Sequence, residues 1–259
     1  PAGRGTPIQT QSGLYPINCP TIRWLPGNGP KGILLISARG DSSLGLQGGR
    51  SFYWNADGGE GSWWEVPAPA QKLGNGRAGW TQAMLPQADG SLLHVTSSAS
   101  AEAPANTSRN QILFATGKLD FNRYEAEDAA QIGSAMMRDA SMSNGAKVRL
   151  GAKDVGRLTF DIYLPKSGRY RLGVNYAGIG FDSTPRLSAN GAVLPGSTAS
   201  VKVDETTAAL RNRDLGTRGN GEHVLLSASA ELKAGMNRVE VAGGAYALDV
   251  DYLEVTPEP

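Results

Sequence analysis

The sequence holds one cysteine, Cys19, and two histidines, His94 and His223, in 259 residues. A single cysteine excludes an internal disulfide and says little about redox compartment, so Cys19 reads as a small buried apolar residue. Two histidines exclude a histidine-rich metal site. No apolar run approaches the roughly 18 residues that a membrane-spanning helix needs. An excess of either charge is also missing. Lys+Arg number 25 and Asp+Glu 24, a net of +1, so neither nucleic acid nor an anionic membrane is expected as partner. The opening stretch PAGRGTPIQTQSG has no apolar core and is not a signal peptide. Residues 1–13 read as a loop or linker, and the chain is expected to begin inside a longer protein.

What is plentiful is glycine, 34 residues, with 15 prolines. That composition disfavours long helices and suits short strands with tight turns. Asn106-Thr107-Ser108 is a glycosylation sequon, a triplet that also arises by chance.

Residues 14–119 contain a repeat. Leu25-Pro26 recurs as Leu85-Pro86, Ile33–Ser37 as Leu93–Ser97, and Phe52-Tyr53-Trp54 as Ile112-Leu113-Phe114, each time 60 positions on (85−25, 93−33, 112−52). Each copy has a strand ending at Leu-Pro, a glycine turn, an apolar strand, a longer loop and an aromatic-rich strand. A fourth strand is expected at Trp63–Val66 in the first copy. Units of this size and grammar predict two β-propeller blades. Asn55-Ala56-Asp57-Gly58-Gly59 followed by Trp63 resembles a degenerate Asp box, the S-x-D-x-G-x-x-W turn of sialidase-like propellers. Asp57 is then expected to cap backbone amides of the turn, with Trp63 packed over it, and not to be a catalytic acid. With WEVPAP and GWTQAMLPQADGSLLHVTSS, the segment resembles the last blades of secreted sialidase-superfamily hydrolases, the exo-arabinanases of glycoside hydrolase family 93 among them. Two blades do not close a propeller, so an upstream propeller polypeptide is expected as partner.

Residues 120–259 carry a different pattern. Leu158, Phe160 and Ile162 alternate with polar residues, as do Tyr170, Leu172 and Val174 beyond a turn at Pro165–Gly168. Asn190-Gly191 is a hairpin signal. Seven to nine short strands predict two packed antiparallel sheets. YEAEDA alternates, which places Glu125 and Glu127 on one face, and LDVDYLEV does the same for Asp249 and Asp251. A solvated acidic edge and a site for a hard cation both remain open; if the two strands lie together, the oxygens suit calcium.

YEAEDA, MSNGAKV, VGRLTFDIYLPKSGRYRLGVNYAG, RLSANG, LKAGMNRVEVAGG and DVDYLEV occur in the order that resembles family 35 carbohydrate-binding modules, with much in common with family 6. The resemblance runs from Tyr124 to Val255. It implies a jelly-roll β-sandwich with a structural calcium, for which Glu125, Glu127 and Asp251 match the side-chain ligands and the Ser143-Asn144-Gly145 loop could add backbone oxygens. It also implies a polysaccharide or oligosaccharide ligand. All five tryptophans lie in the first half, and Asp249 stands where the family often has Asn. The candidates for glycan contact are Tyr176, Tyr246 and Asp249, with a sandwich or rim position as the alternative for each tyrosine.

The whole chain is therefore expected to be all-β: two propeller blades, then a jelly-roll β-sandwich. Three functions fit: the C-terminal portion of a secreted glycoside hydrolase, a non-catalytic glycan-binding lectin or adhesion protein, or a purely structural pair. A glycosidase needs two placed carboxyl groups. Asp41, Asp57, Glu60, Glu65, Asp89, Glu102 and Asp120 are the acids of the first half. Asp57 and Asp89 read as turn residues, Glu60 and Glu65 as outer-rim residues, so the main catalytic acids are expected upstream. Arg77 and Trp80 are candidates to line a shared substrate cleft, loop charge and core packing being the alternatives.

Overall fold

The computed structural model of the chain describes residues 7–15, 18–26, 29–39, 50–67, 78–99, 110–139, 141–151, 155–178, 186–194, 224–243 and 247–259. The chain divides into two compact units, Pro1–Phe121 and Asn122–Pro259. Among the described residues, apart from two single-turn 3-10 segments, the regular structure is all β. Among the described residues no helix is long and apolar enough to cross a membrane.

The described residues of the first unit form two antiparallel sheets. One is formed in order by β1 (Asn18–Leu25), β2 (Ile33–Arg39), β3 (Arg50–Asn55) and β4 (Trp64–Pro67); the other by β5 (Ala78–Pro86), β6 (Leu92–Ala99) and β7 (Asn110–Gly117). The 60-residue offset holds in the pairing itself. Leu25 faces Ile33 and Leu85 faces Leu93; Leu35 faces Trp54 and Val95 faces Phe114. The two sheets meet through Arg23, whose Nε donates to Met84 O at 2.9 Å, and through His94. The His94 ring stands edge-on to Phe52 at 4.8 Å, and its Nε2 lies 3.3 Å from Ser37 Oγ. Ile22, Trp24, Leu85 and Phe114 are each about half exposed or more, so apolar surface remains on this unit.

The described residues of the second unit form two antiparallel sheets. The first runs β10 (Ser134–Arg138), β11 (Ala146–Leu150), β18 (Leu248–Pro257), β13 (Gly168–Gly178), β16 (Val224–Leu232), with β8 (Arg123–Glu125) also paired to β18. The second runs β15 (Ala192–Val193), β14 (Arg186–Ala189), β17 (Gly235–Ala242), β12 (Arg157–Leu164), β9 (Ala130–Ile132). Successive strands pass repeatedly from one sheet to the other. Leu158, Phe160, Ile162, Val239 and Val241 of one sheet and Val148, Leu172, Val174, Val250 and Leu253 of the other are fully buried, which makes the unit a β-sandwich. Asn190 and Gly191, with φ of 48° and 85°, form the two-residue hairpin between Ala189 and Ala192. At one end of the sandwich four glycines replace side chains by backbone. Gly151 N donates to Gly133 O, Gly156 N to Gly151 O, and Gly243 N to Gly156 O. A Cβ on Gly156 would lie 2.3 Å from Gly151 N, and one on Gly243 2.6 Å from Gly151 O.

Candidate functional site

The acidic cluster of the second unit is assembled from three distant segments. Glu125 ends β8, opposite Tyr252 of β18. The strand then stops, and Ala126–Asp128 form a 3-10 turn. Glu127 therefore lies beyond the strand, and the alternation expected to align it with Glu125 does not extend that far. Glu125, Glu127 and Asp128 are all essentially inaccessible to solvent.

Asp251 reaches the same neighbourhood through a bulge. Asn175 pairs with Tyr252 and Tyr176 with Val250, so Asp251 has no partner across the ladder. A bulge redirects a side chain and breaks the two-residue period. The simple alternation that would put Asp249 and Asp251 on one face is interrupted between them. The Ser143 amide donates to Asp251 Oδ1 at 3.1 Å and the Ser143 hydroxyl to Glu125 Oε1 at 2.7 Å. One serine thus ties together carboxylates from the first and last strands of the unit. Burial pushes the Asp251 carboxyl up to about 7, against the Ser143 amide and the nearby charge of Arg123, which favour its ionised form. The Arg123 guanidinium itself sits 4.0 Å from the centre of the Tyr252 ring.

Asp249 belongs to a separate, charge-balanced set. Its Oδ1 and Oδ2 accept from Arg149 Nε at 2.7 Å and Arg149 Nη2 at 3.0 Å, and Lys147 Nζ lies 3.1 Å from Oδ2. Lys147 Nζ also lies 2.9 Å from Asp139 Oδ2. Burial works against the Lys147 charge, but its bonds to Asp139 and Asp249 outweigh that and hold its pKa above the usual value. Burial likewise opposes the charge on Asp139, and the bonds from Ser141 and Lys147 prevail, lowering its pKa. Two cations and two anions alternate along this tetrad. No local pattern marks the tetrad, because Arg149 on β11 lies 100 residues from Asp249.

Of the residues expected to touch glycan, Tyr176 is buried, 7% exposed, in a row with Val250 and Val224. Asp249 is held by Arg149 and Lys147, as above. Tyr246 and Arg77 lie outside the described residues, and Trp80 stands on β5 with its side chain outside the description. Asp41 and Glu102 also lie outside the described residues.

In the first unit the turn after β3 is organised by Asn55, not by Asp57. Asn55 Oδ1 accepts from the amides of Asp57 and Gly59 at 2.8 and 2.9 Å, and Asn55 Nδ2 donates to Glu60 O and Ser62 O at 2.6 and 3.0 Å. Asp57 instead pairs with Lys31. Trp63 is buried in a cluster with Ile36 and Tyr53. Glu65, expected on the rim, is buried on β4 opposite Tyr53. Asp89 accepts from the amide and hydroxyl of Ser91 and serves its own turn.

Glu125 and Asp251 bring buried carboxylate oxygens from separate strands to Ser143, the donor type that hard cations take. Among the described residues no three His, Cys, Asp or Glu side chains are grouped as a ready metal cage. Two of the three expected ligands, Glu125 and Asp251, do converge on one residue, and Glu127 follows Glu125 by a single turn.

No family model matches the sequence, and no curated protein matches it. Among solved structures, the chain is similar to a GH26-CBM35 β-(1,4)-mannanase from Podospora anserina, at 20% identity and a TM-score of 0.40 over 53% of this chain and 27% of that one. It is similar to a family 35 carbohydrate-binding module from Clostridium thermocellum, at 23% identity and a TM-score of 0.38 over 53% of this chain and 99% of that one. It is also similar to an exo-β-1,3-galactanase from Phanerochaete chrysosporium, at 14% identity and a TM-score of 0.37 over 93% of this chain and 56% of that one. The chain thus spans about a quarter of the mannanase and about half of the galactanase.

Proposed function

We propose that this chain is a glycan-binding portion of a secreted carbohydrate-active enzyme, in which a calcium-stapled carbohydrate-binding sandwich follows two propeller blades. The observation that carries the reading is the meeting of Glu125 and Asp251 at Ser143. These are residues that the ordered motifs resembling family 35 modules assign to calcium, and they come from opposite ends of a β-sandwich. Glu125 and Asp251 would hold the ion, with Glu127 and oxygens of the Ser143–Gly145 loop completing the shell. Bound there, calcium supplies positive charge that offsets the mutual repulsion of buried carboxylates and joins the first strand to the last.

The propeller reading rests on the 60-residue repeat and its matching strand registers. Catalysis would then fall to acids outside the described residues or on upstream blades, since Asp57 and Asp89 serve turns and Glu65 is buried. The exposed Ile22, Trp24 and Phe114 offer apolar surface for those blades to cover.

Affinity electrophoresis of the full chain through gels containing plant and microbial polysaccharides, with calcium and with chelator, tests the reading. Retardation by at least one polysaccharide supports it. A second reading, a structural role without glycan, is favoured by the burial of Tyr176 and the ion pairing of Asp249. Unretarded migration in every gel would establish that reading instead.

A further inference from the structure

Backbone hydrogen bonds tie Asp139 to residues 142 and 145 in a loop. Asp139 N donates to Gly145 O at 2.9 Å, Met142 N to Asp139 O at 3.0 Å, and Gly145 N to Met142 O at 3.1 Å. Asp139 Oδ1 takes the amide and hydroxyl of Ser141 at 3.1 and 2.6 Å. Asn144 adopts φ of 52°, a left-handed conformation that costs a non-glycine residue energy unless its surroundings enforce it. One fastening of the loop is Ser143, on Glu125 and Asp251. Its other fastening is Asp139, on Lys147.

Lys147 is therefore placed between the loop and the last strand. Its side chain is 6% exposed, and it spans from Asp139 Oδ2 at 2.9 Å to Asp249 Oδ2 at 3.1 Å. Asp249 is fixed in turn by the two-toothed grip of Arg149. A buried ammonium with two carboxylate partners is rigidly held, and losing it leaves both partners under-compensated. Asp249 and Asp251 lie on one strand, so the same strand that anchors Lys147 carries the carboxylate that Ser143 touches.

We infer that Lys147 is a positioning residue that fastens the Asp139–Gly145 loop to β18 and so keeps Ser143 seated on Glu125 and Asp251, setting the cation affinity of that site. The affinity part rests on the calcium reading above; the seating of the loop does not. Outer partners that orient a ligand set commonly change metal affinity by about 10- to 100-fold when removed.

The test uses the full chain and two variants, Lys147→Met, which keeps the length and removes the charge, and Lys147→Arg. Amide hydrogen exchange in chelator reads the loop without metal. Lys147→Met is expected to speed exchange at Ser143 and Gly145 by about tenfold or more while Val239 and Val241 in the opposite sheet keep their protection, with Lys147→Arg restoring most of it. Calorimetric titration with calcium alone should show affinity lower by about 10- to 100-fold for Lys147→Met, with recovery in Lys147→Arg. Unchanged loop exchange, or uniform loss of protection throughout the sandwich, would overturn the positioning role. Calcium affinity unaltered beside a loosened loop would overturn the affinity role. If the wild type takes up no calcium, the calcium reading falls and the exchange comparison still decides the positioning. Should Lys147→Met not fold, Asp139→Asn cuts the same link from the loop side and must give the same local pattern.

Discussion

The amide of Ser143 donates to Asp251 Oδ1 at 3.1 Å across 108 residues of sequence, while the hydroxyl of the same serine holds Glu125. Closure of the sandwich and assembly of the acidic cluster are thus one event, and several measurable outcomes follow from that.

Calcium is expected to raise the melting temperature of the full chain. At a free concentration about 100 times the dissociation constant, linkage contributes about 2.7 kcal/mol. Glu125→Gln and Asp251→Ala should each abolish the response. A wild-type melting curve indifferent to calcium and chelator, with no metal by elemental analysis, would dispose of the site.

Without metal, Asp251 should make stability fall as pH rises. Burial raises its pKa to about 7, above the ordinary aspartate value of 3.8, so between those limits the folded state binds the proton more tightly than the unfolded one. The contribution is favourable below about 4 and is lost as pH climbs through 7, by at most about 1.4 kcal/mol per pH unit. Denaturant titrations in chelator at pH 5 and pH 8 should show the sandwich weaker at pH 8, and Asp251→Asn should flatten the difference. Calcium should oppose the trend, because it favours the ionised carboxylate. An Asp251→Asn profile parallel to wild type would refute the assignment.

Asn55→Ala should destabilise the first unit by about 2–4 kcal/mol, because four part-buried hydrogen bonds converge on that side chain. Asp57→Ala, which loses a partly exposed ion pair with Lys31, should cost under about 1 kcal/mol. All five tryptophans lie within the first unit, so intrinsic fluorescence of the full chain during denaturation reports it separately. The reverse ranking would show that Asp57 organises the turn after all.

Gly156→Ala should cost about 2 kcal/mol or more, since its Cβ would meet backbone that cannot step aside. Gly168→Ala, where a Cβ meets open space, should be neutral or stabilise by up to about 1 kcal/mol. Far-ultraviolet circular dichroism during urea unfolding gives both values. Equal effects would mean that the glycine contacts at the end of the sandwich carry no constraint.

Much of the sandwich was legible because its signals are local. The alternation of Leu158, Phe160 and Ile162 became the buried face of β12, and Asn190-Gly191 became a two-residue hairpin. The repeat was legible too, since a common offset survives in the strand registers. What local pattern could not reveal was whatever depends on a distant partner. The bulge at Asp251 arises from the pairing of β18 with β13, and the capture of Asp249 depends on Lys147 and Arg149 of β11. The Asn55 cap was within reach of the sequence, because Asn is a strong turn former; the likeness to an Asp box drew the expectation to Asp57 instead.

β18 is hydrogen-bonded to β8, β11 and β13, so it is the strand around which the larger sheet is built, and it is also the last one to be synthesised. During translation β8 and β11 must wait, with their edges open, until residues 248–257 have left the ribosome. Contacts that join such remote segments are slow to form and leave strand edges exposed in the interval. Those edges are open to intermolecular pairing in the interval, so refolding of the sandwich is expected to lose yield to association as protein concentration rises.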